Sequence, residues 1–320
     1  MFNAIQIYVS GKRVGLMKIS ILFFFIGISL PANAAPGIHM SQMQANGIEF
    51  SYLEAGDPSK PLILFLHGFP DTADTWNEFL PIFGAAGFHA VAPFMRGYNP
   101  TAIPANGDYS VETLAHDALA IMDGFHQDSA IIVGHDWGAI TGYVAANMAP
   151  QRVKKLVTLS IPHPRAISVS PAFFFYSPQF AQLPLGQISE WFVQRNNFAY
   201  LDALYAKWSP AWRVPENMLS KMKEDFSQPG RLGAALGYYR SFIRDGLNPA
   251  KLALLRQKTS VPTLCLVGNE DGATNSEWFA KTPEAFTGPY ELDVVKNSGH
   301  FIQREQPEVV LKKIFEFLGK

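Results

Sequence analysis

A single cysteine, Cys265, occurs in 320 residues. That scarcity excludes an intramolecular disulfide framework and any cysteine-rich zinc site. The thiol sits in the apolar run 263–267, which assigns it to core packing. Neither sign of charge dominates: 26 Lys and Arg stand against 27 Asp and Glu, a formal charge of −1, so no basic field draws in nucleic acid. No H-E-x-x-H metal spacing and no G-x-x-x-x-G-K-S/T phosphate cradle occurs, and neither a metal nor a nucleotide cofactor is expected. Repeats and low-complexity tracts are absent. Apolar residues make up 48% of the chain, enough for a large core and too many for disorder.

The first 34 residues read as a targeting segment. Lys12, Arg13 and Lys18 precede the apolar run 19–30, which leads through Pro31 to Ala32, Asn33 and Ala34, the layout of a signal peptide cleaved after Ala34. About a dozen apolar residues fall short of the roughly 20 that span a bilayer. Met17 opens a shorter version of the same signal, so starts at Met1 and Met17 lead to one expectation: an exported protein, periplasmic or secreted, with no stable membrane span once the signal is removed. Cleavage takes away three basic residues and no acidic ones, which moves the charge from −1 to −4.

Beyond it, short apolar runs alternate with helix-length segments. Ile48–Ala55 alternates loosely and suits an edge strand, whereas runs 61–66, 89–93, 129–133, 153–159 and 261–267 are continuous, as in strands buried on both faces. Val111, Leu114, Ala118, Ile121 and Met122 share one face of a helix, and Val310, Leu311, Ile314, Phe317 and Leu318 form an amphipathic closing helix. The expected fold is α/β, a mostly parallel sheet. Between 162 and 248 the strand signal disappears and the chain becomes helical and crowded with aromatics, a helical cap inserted between core segments 35–161 and 249–320. A cap in that position covers the carboxyl ends of the strands, where ligands bind, and its aromatics point to a small apolar organic substrate.

The chemistry concentrates at Gly134-His135-Asp136-Trp137-Gly138, directly after the run 129–133 and before a helical stretch. The spacing is that of a nucleophile elbow, G-x-Nu-x-G, with a carboxylate as the projecting side chain. A carboxylate that attacks an acyl carbon would give a reactive anhydride. Attack on a saturated carbon gives an alkyl ester, stable until an activated water cleaves it. The expected substrate is therefore an sp3 carbon bearing a leaving group.

Over residues 45–318 the sequence resembles the α/β-hydrolase superfamily, and within it the epoxide hydrolase branch. His67-Gly68-Phe69-Pro70 resembles the HGxP oxyanion loop; Arg96-Gly97-Tyr98 resembles RGYG, with Asn99 in place of the last glycine; residues 134–138 match G-H-D-W-G. The resemblance implies an α/β-hydrolase fold with inserted cap and a cofactor-independent hydrolase. It implies Asp136 as nucleophile, Asp271 as acid with Glu270 as its neighbouring alternative, and His300 as the base that activates water. Backbone N–H groups of Phe69 and Trp137 would form the oxyanion hole, and His67 would brace the loop. It further implies cap tyrosines that protonate the opening epoxide. Tyr239, before Arg240, matches one. Tyr176, ahead of Gln182-Leu183-Pro184, is the nearest to the other, with Ser177 and Pro178 departing from the pattern and His163 or Ser177 as substitute donors. A haloalkane dehalogenase is the alternative, with the Trp137 indole holding halide, although Phe69 stands where that branch usually has Asn. A ligand-binding module without turnover is the alternative of another class.

Overall fold

A computed structural model describes residues 37–168 and 170–319. Strands His39–Ala45, Ile48–Ala55, Leu62–Leu66, His89–Pro93, Ala130–His135, Val153–Leu159, Thr263–Gly268 and Tyr290–Val295 (β1 to β8) form one sheet of order β1-β2-β4-β3-β5-β6-β7-β8. β2 runs antiparallel to β1 and β4, and every pairing from β4 to β8 is parallel. Each residue of β3, β4 and β5 is buried, the fate expected of continuous apolar runs in the middle of a parallel sheet. Cys265 is fully buried, and that burial pushes its thiol up to about 11.

The edge of the sheet corrects the sequence reading. β2 is an interior strand, and the edge is β1, for which the sequence carried no strand signal. Its residues His-Met-Ser-Gln-Met-Gln-Ala are mostly exposed. They pair through backbone bonds to β2 over the full length of the strand, so no run of apolar side chains is needed.

Core helices are Phe79–Ala85, Val111–Gly124 and Trp137–Met148 (α1 to α3). From Pro171 to Leu247 every element is a helix, with short linkers between: Pro171–Tyr176, Gln179–Gln182, Gln187–Trp208, Glu216–Ser227 and Arg231–Leu247 (α4 to α8). Pro249–Leu255, Ser276–Lys281, Ile302–Glu305 and Pro307–Leu318 (α9 to α12) complete the core. α6 is broken at residues 195–198, where Asn196, Asn197 and Phe198 take φ of 52°, 53° and 59°. Two adjacent asparagines, which tolerate left-handed backbone, make that break cheap. The cap is tied to the core by buried polar contacts. The Tyr238 hydroxyl donates to the Arg96 carbonyl (2.8 Å), the Val111 N–H to Asp245 (2.9 Å) and the Asn99 amide to Asp225 (2.9 Å). Arg96 is itself held by Asp117 at 2.7 Å. The described residues fall in one compact unit, and the expected signal segment 1–34 lies outside them.

The turn from β5 into α3 depends on glycine for space. A Cβ on Gly134 would stand 2.3 Å from the Gly138 carbonyl oxygen, and one on Gly138 would stand 2.2 Å from that of Leu66. Both obstacles are backbone and cannot swing aside. Gly138→Ala is expected to lower the unfolding free energy by about 2–3 kcal/mol, measured by urea denaturation against the wild-type chain.

Candidate active site

Asp136 occupies the tip of that turn with φ 51° and ψ −117°, a conformation costly for a non-glycine residue. It aims the carboxylate over the ends of β3 and β5, close against Gly68, where any Cβ would lie 2.5 Å from Asp136 Oδ1. The bare glycine lets the following backbone reach the carboxylate: the Phe69 N–H donates to Oδ1 at 2.9 Å. The Trp137 N–H, second member of the expected oxyanion pair, belongs to the first residue of α3, where amides have no intrahelical partner. His67 keeps the loop in place, accepting from the Met95 N–H at 2.9 Å through Nε2 and donating through Nδ1 to the Gly68 carbonyl. Burial pushes its pKa down to about 4, so it braces the loop as a neutral ring.

On the other side, His300 Nε2 lies 3.5 Å from Asp136 Oδ2, and Nδ1 is 3.0 Å from Asp271 Oδ2. Asp271 is oriented in turn by the N–H groups of Ala273 (2.7 Å) and Thr274 (3.3 Å) on its Oδ1. Glu270, the neighbouring alternative, is exposed and makes no contact with the imidazole. The His300 backbone is gripped from both layers. Its N–H donates to Ser209 Oγ (2.9 Å) just past α6, and its carbonyl accepts from Ser160 Oγ (2.6 Å) and His135 Nε2 (2.9 Å). Glu305 closes this clamp, accepting from Ser209 Oγ (2.7 Å) and the Gly299 N–H (2.9 Å).

Burial opposes charge on His300, but the two carboxylates outweigh it and hold the ring up at about 10. Burial likewise pushes the Asp136 carboxyl up, and the hydrogen bond and charge of His300 overcome it, leaving the group below its usual value. The resting site is therefore an imidazolium between two carboxylates.

Asp136, His300 and Tyr239 line one enclosed cavity of about 40 Å³, walled mainly by Phe173, Phe180 and Phe242. That is room for a few waters or a very small organic molecule, far below the roughly 300 Å³ or more of ordinary ligand pockets. Clefts of 320 Å³ beside Asp71 and Arg304 and of 870 Å³ beside Tyr176 and Lys207 are larger, but neither includes Asp136, His300 or Tyr239. Tyr239, on α8, is 1% exposed; burial, and then the Asp136 charge, keep its hydroxyl protonated far above the ordinary range. The Trp137 ring meets Tyr239 edge-on at 5.0 Å, and its buried indole N–H has no partner of normal geometry.

The first expected cap donor is corrected. Tyr176 is 44% exposed and faces the 870 Å³ cleft, outside the cavity. The reason is helical geometry: consecutive residues point about 100° apart, so just past α4 it is Ser177 that lines the cavity. Neither named substitute is free. Ser177 Oγ donates to the Ala273 carbonyl (2.7 Å), and the His163 ring is occupied by Thr259 (3.1 Å) and the Arg165 N–H (3.0 Å). A cavity residue that sequence reading missed is Gln179, since an isolated glutamine in a helical segment carries no signal of its orientation. Among the described residues no group of three or more His, Cys, Asp or Glu is arranged to hold a metal ion, and no helix is long and apolar enough to cross a membrane.

The His300 proton links pH to stability. Its folded pKa of about 10 exceeds the ordinary 6.5, so the stability it contributes is fully present below pH 6.5 and lost as pH rises through 10. The unfolding free energy of the wild type relative to His300→Gln is expected to decline across that window in urea melts taken at successive pH values; a flat difference would remove the ion pair.

Residues 61–307 match the family model described as alpha/beta hydrolase fold. The chain is 32% identical over 288 residues to the AB hydrolase superfamily protein YfhM of Bacillus subtilis, covering 88% of this chain and 98% of that one. It is 29% identical over 312 residues to epoxide hydrolase A of Mycobacterium tuberculosis, covering 86% and 96%. The crystal structure of epoxide hydrolase A from Mycobacterium thermoresistibile superimposes with a TM-score of 0.78 at 23% identity, over 88% of this chain and 98% of that one, and shares the fold. With an aspartate at the elbow, a histidine and its acid on the loops after β8 and β7, and helices inserted after β6, the chain belongs to the alpha/beta hydrolase family.

Proposed function

We propose that the protein hydrolyses an epoxide to a vicinal diol through a covalent ester on Asp136. The observation that carries this reading is the position of the carboxylate: ionised, held by the Phe69 N–H on one oxygen and facing His300 with the other, in a closed apolar cavity with a protonated phenol. The similarity to epoxide hydrolases supports it.

In the first step an Asp136 oxygen forms a bond to a ring carbon, the ring C–O bond breaks, and its electron pair, developing as alkoxide, takes the Tyr239 proton. Esterification removes the Asp136 charge, which had helped hold the proton on His300. The imidazolium then returns a proton to the Tyr239 phenolate by way of cavity water and becomes a neutral base, still oriented by Asp271. In the second step His300 takes a proton from water, and the hydroxide attacks the ester carbonyl carbon. The Phe69 N–H, already on the carboxylate oxygen, and the Trp137 N–H hold the resulting oxyanion, at about 3 kcal/mol per donor. On collapse the bond to the substrate oxygen breaks, that oxygen takes the proton of the added hydroxyl, the diol leaves, and the Asp136 carboxylate beside the His300 imidazolium is restored. The enclosed, low-dielectric cavity strengthens each of these interactions and limits the substrate to a small apolar epoxide.

One observation bears on the halide alternative: the Trp137 ring lines the cavity beside Asp136, where its indole edge would meet a leaving halide if the side chain turned. Mass spectrometry of His300→Gln, in which the ester accumulates, separates the two. An adduct on Asp136 from a small epoxide and none from a haloalkane is expected; an adduct from the haloalkane alone overturns the epoxide assignment. Tyr239→Phe is expected to slow ester formation by more than about tenfold, read by rapid quench, with turnover near normal locating the donor elsewhere.

The reading extends to location. The segment ending Ala32-Asn33-Ala34 is proposed to direct export, the enzyme acting in the periplasm or outside the cell. N-terminal sequencing of the protein from an expressing bacterium is expected to start at Ala35; an intact leader in the cytoplasmic fraction contradicts export.

A further inference from the structure

Gln179 opens α5, is 5% exposed, and lines the same cavity as Asp136, His300 and Tyr239. Among the described residues its side-chain amide has no hydrogen-bond partner. Buried amides in folded proteins are nearly always paired, because one left unpaired loses its water contacts and regains nothing. The Thr274 hydroxyl and Trp137 indole N–H also lack partners and belong to lining residues, but both of those atoms are fully buried, whereas the Gln179 amide is not. The remaining candidates are committed elsewhere: Ser177 to Ala273, and Tyr238, on the same helix as Tyr239, to Arg96. The wall therefore presents one acidic donor, Tyr239, and one unpaired neutral donor, Gln179.

We propose that Gln179 is the second hydrogen-bond donor to the substrate oxygen, acting beside Tyr239; the assignment rests on the epoxide reading. The ring oxygen of an epoxide gains nearly a full charge as the C–O bond breaks, and its lone pairs take more than the one O–H that Tyr239 offers. An amide N–H donates to that charge without transferring its proton. The division of labour follows: Tyr239 supplies the proton, and Gln179 stabilises the oxygen while the proton moves. The Gln179 amide acts in ester formation and not in ester hydrolysis, where the charge develops at the Phe69 end of Asp136.

The test compares Gln179→Leu, similar in volume and without polar atoms, in both the wild-type and the His300→Gln chain, with 1,2-epoxybutane as probe. Rapid-quench mass spectrometry in the His300→Gln background is expected to show ester formation slowed about 100-fold. Single turnovers with His300 present should show unchanged hydrolysis of the ester once formed. Thermal melting adds a readout that a packing role would move the other way: loss of an unpaired buried amide should leave the Tm equal or raise it. Gln179→Met serves as the parallel variant if the leucine chain fails to fold. Ester formation at the undiminished rate in either variant overturns the role of Gln179 and leaves the epoxide reading standing. A slowed rate with a lowered Tm in both variants overturns it in favour of packing. No adduct from the epoxide even with Gln179 in place overturns the parent reading, and this assignment with it.

Discussion

The site depends on one electrostatic arrangement: an imidazolium, His300, buried between the carboxylates of Asp136 and Asp271. A carboxylate only 8% exposed would ordinarily take up a proton rather than stay charged. It stays charged because the histidine beside it is held protonated, and the histidine is held protonated because a second carboxylate stands behind it. Two negative charges share one positive, and the remaining lone pairs are taken by backbone N–H groups, Phe69 on Asp136 and Ala273 and Thr274 on Asp271. These groups come from four distant stretches of chain, so the charged trio exists only in the folded molecule. The same coupling means that any change neutralising Asp136 weakens the hold on the His300 proton.

The cap belongs to this arrangement and does not merely cover it. The end of α6 supplies Ser209, whose hydroxyl accepts from the His300 N–H and donates to Glu305, so the base is positioned from both the core and the cap. α8 brings Tyr239 against Asp136 while its neighbour Tyr238 anchors the same helix to the Arg96 carbonyl. Adjacent tyrosines thus divide between fixing the helix and lining the cavity. The short α5 adds Gln179, and Phe180 and Phe242 close the space between. The cavity that results is about 40 Å³ and includes Asp136 and His300 in its wall.

Much of the core was legible along the chain. β4 begins and ends where the apolar run 89–93 does and β6 where the run 153–159 does, and all five residues of β4 are buried, as in a strand covered on both faces. The elbow was legible because glycines flank one projecting residue at a strand-to-helix junction. β1 was invisible, since an exposed edge strand is specified by backbone pairing and not by side-chain pattern. The cap read as helical, but which of its polar residues face inward did not. Tyr176 and Ser177 are neighbours in sequence and look in different directions.

What the sequence by itself determined was the alternation of core strands and helices and the position of the elbow with a carboxylate at its tip, because periodicity and local turn chemistry are properties of short segments. The tertiary structure alone decided which carboxylate pairs with His300, which cap groups reach the cavity, and how small that cavity is. Those outcomes depend on distances between segments well separated along the chain, 29 residues for Asp271 and His300, and on helix rotations of a single residue, and no local pattern of amino acids encodes either.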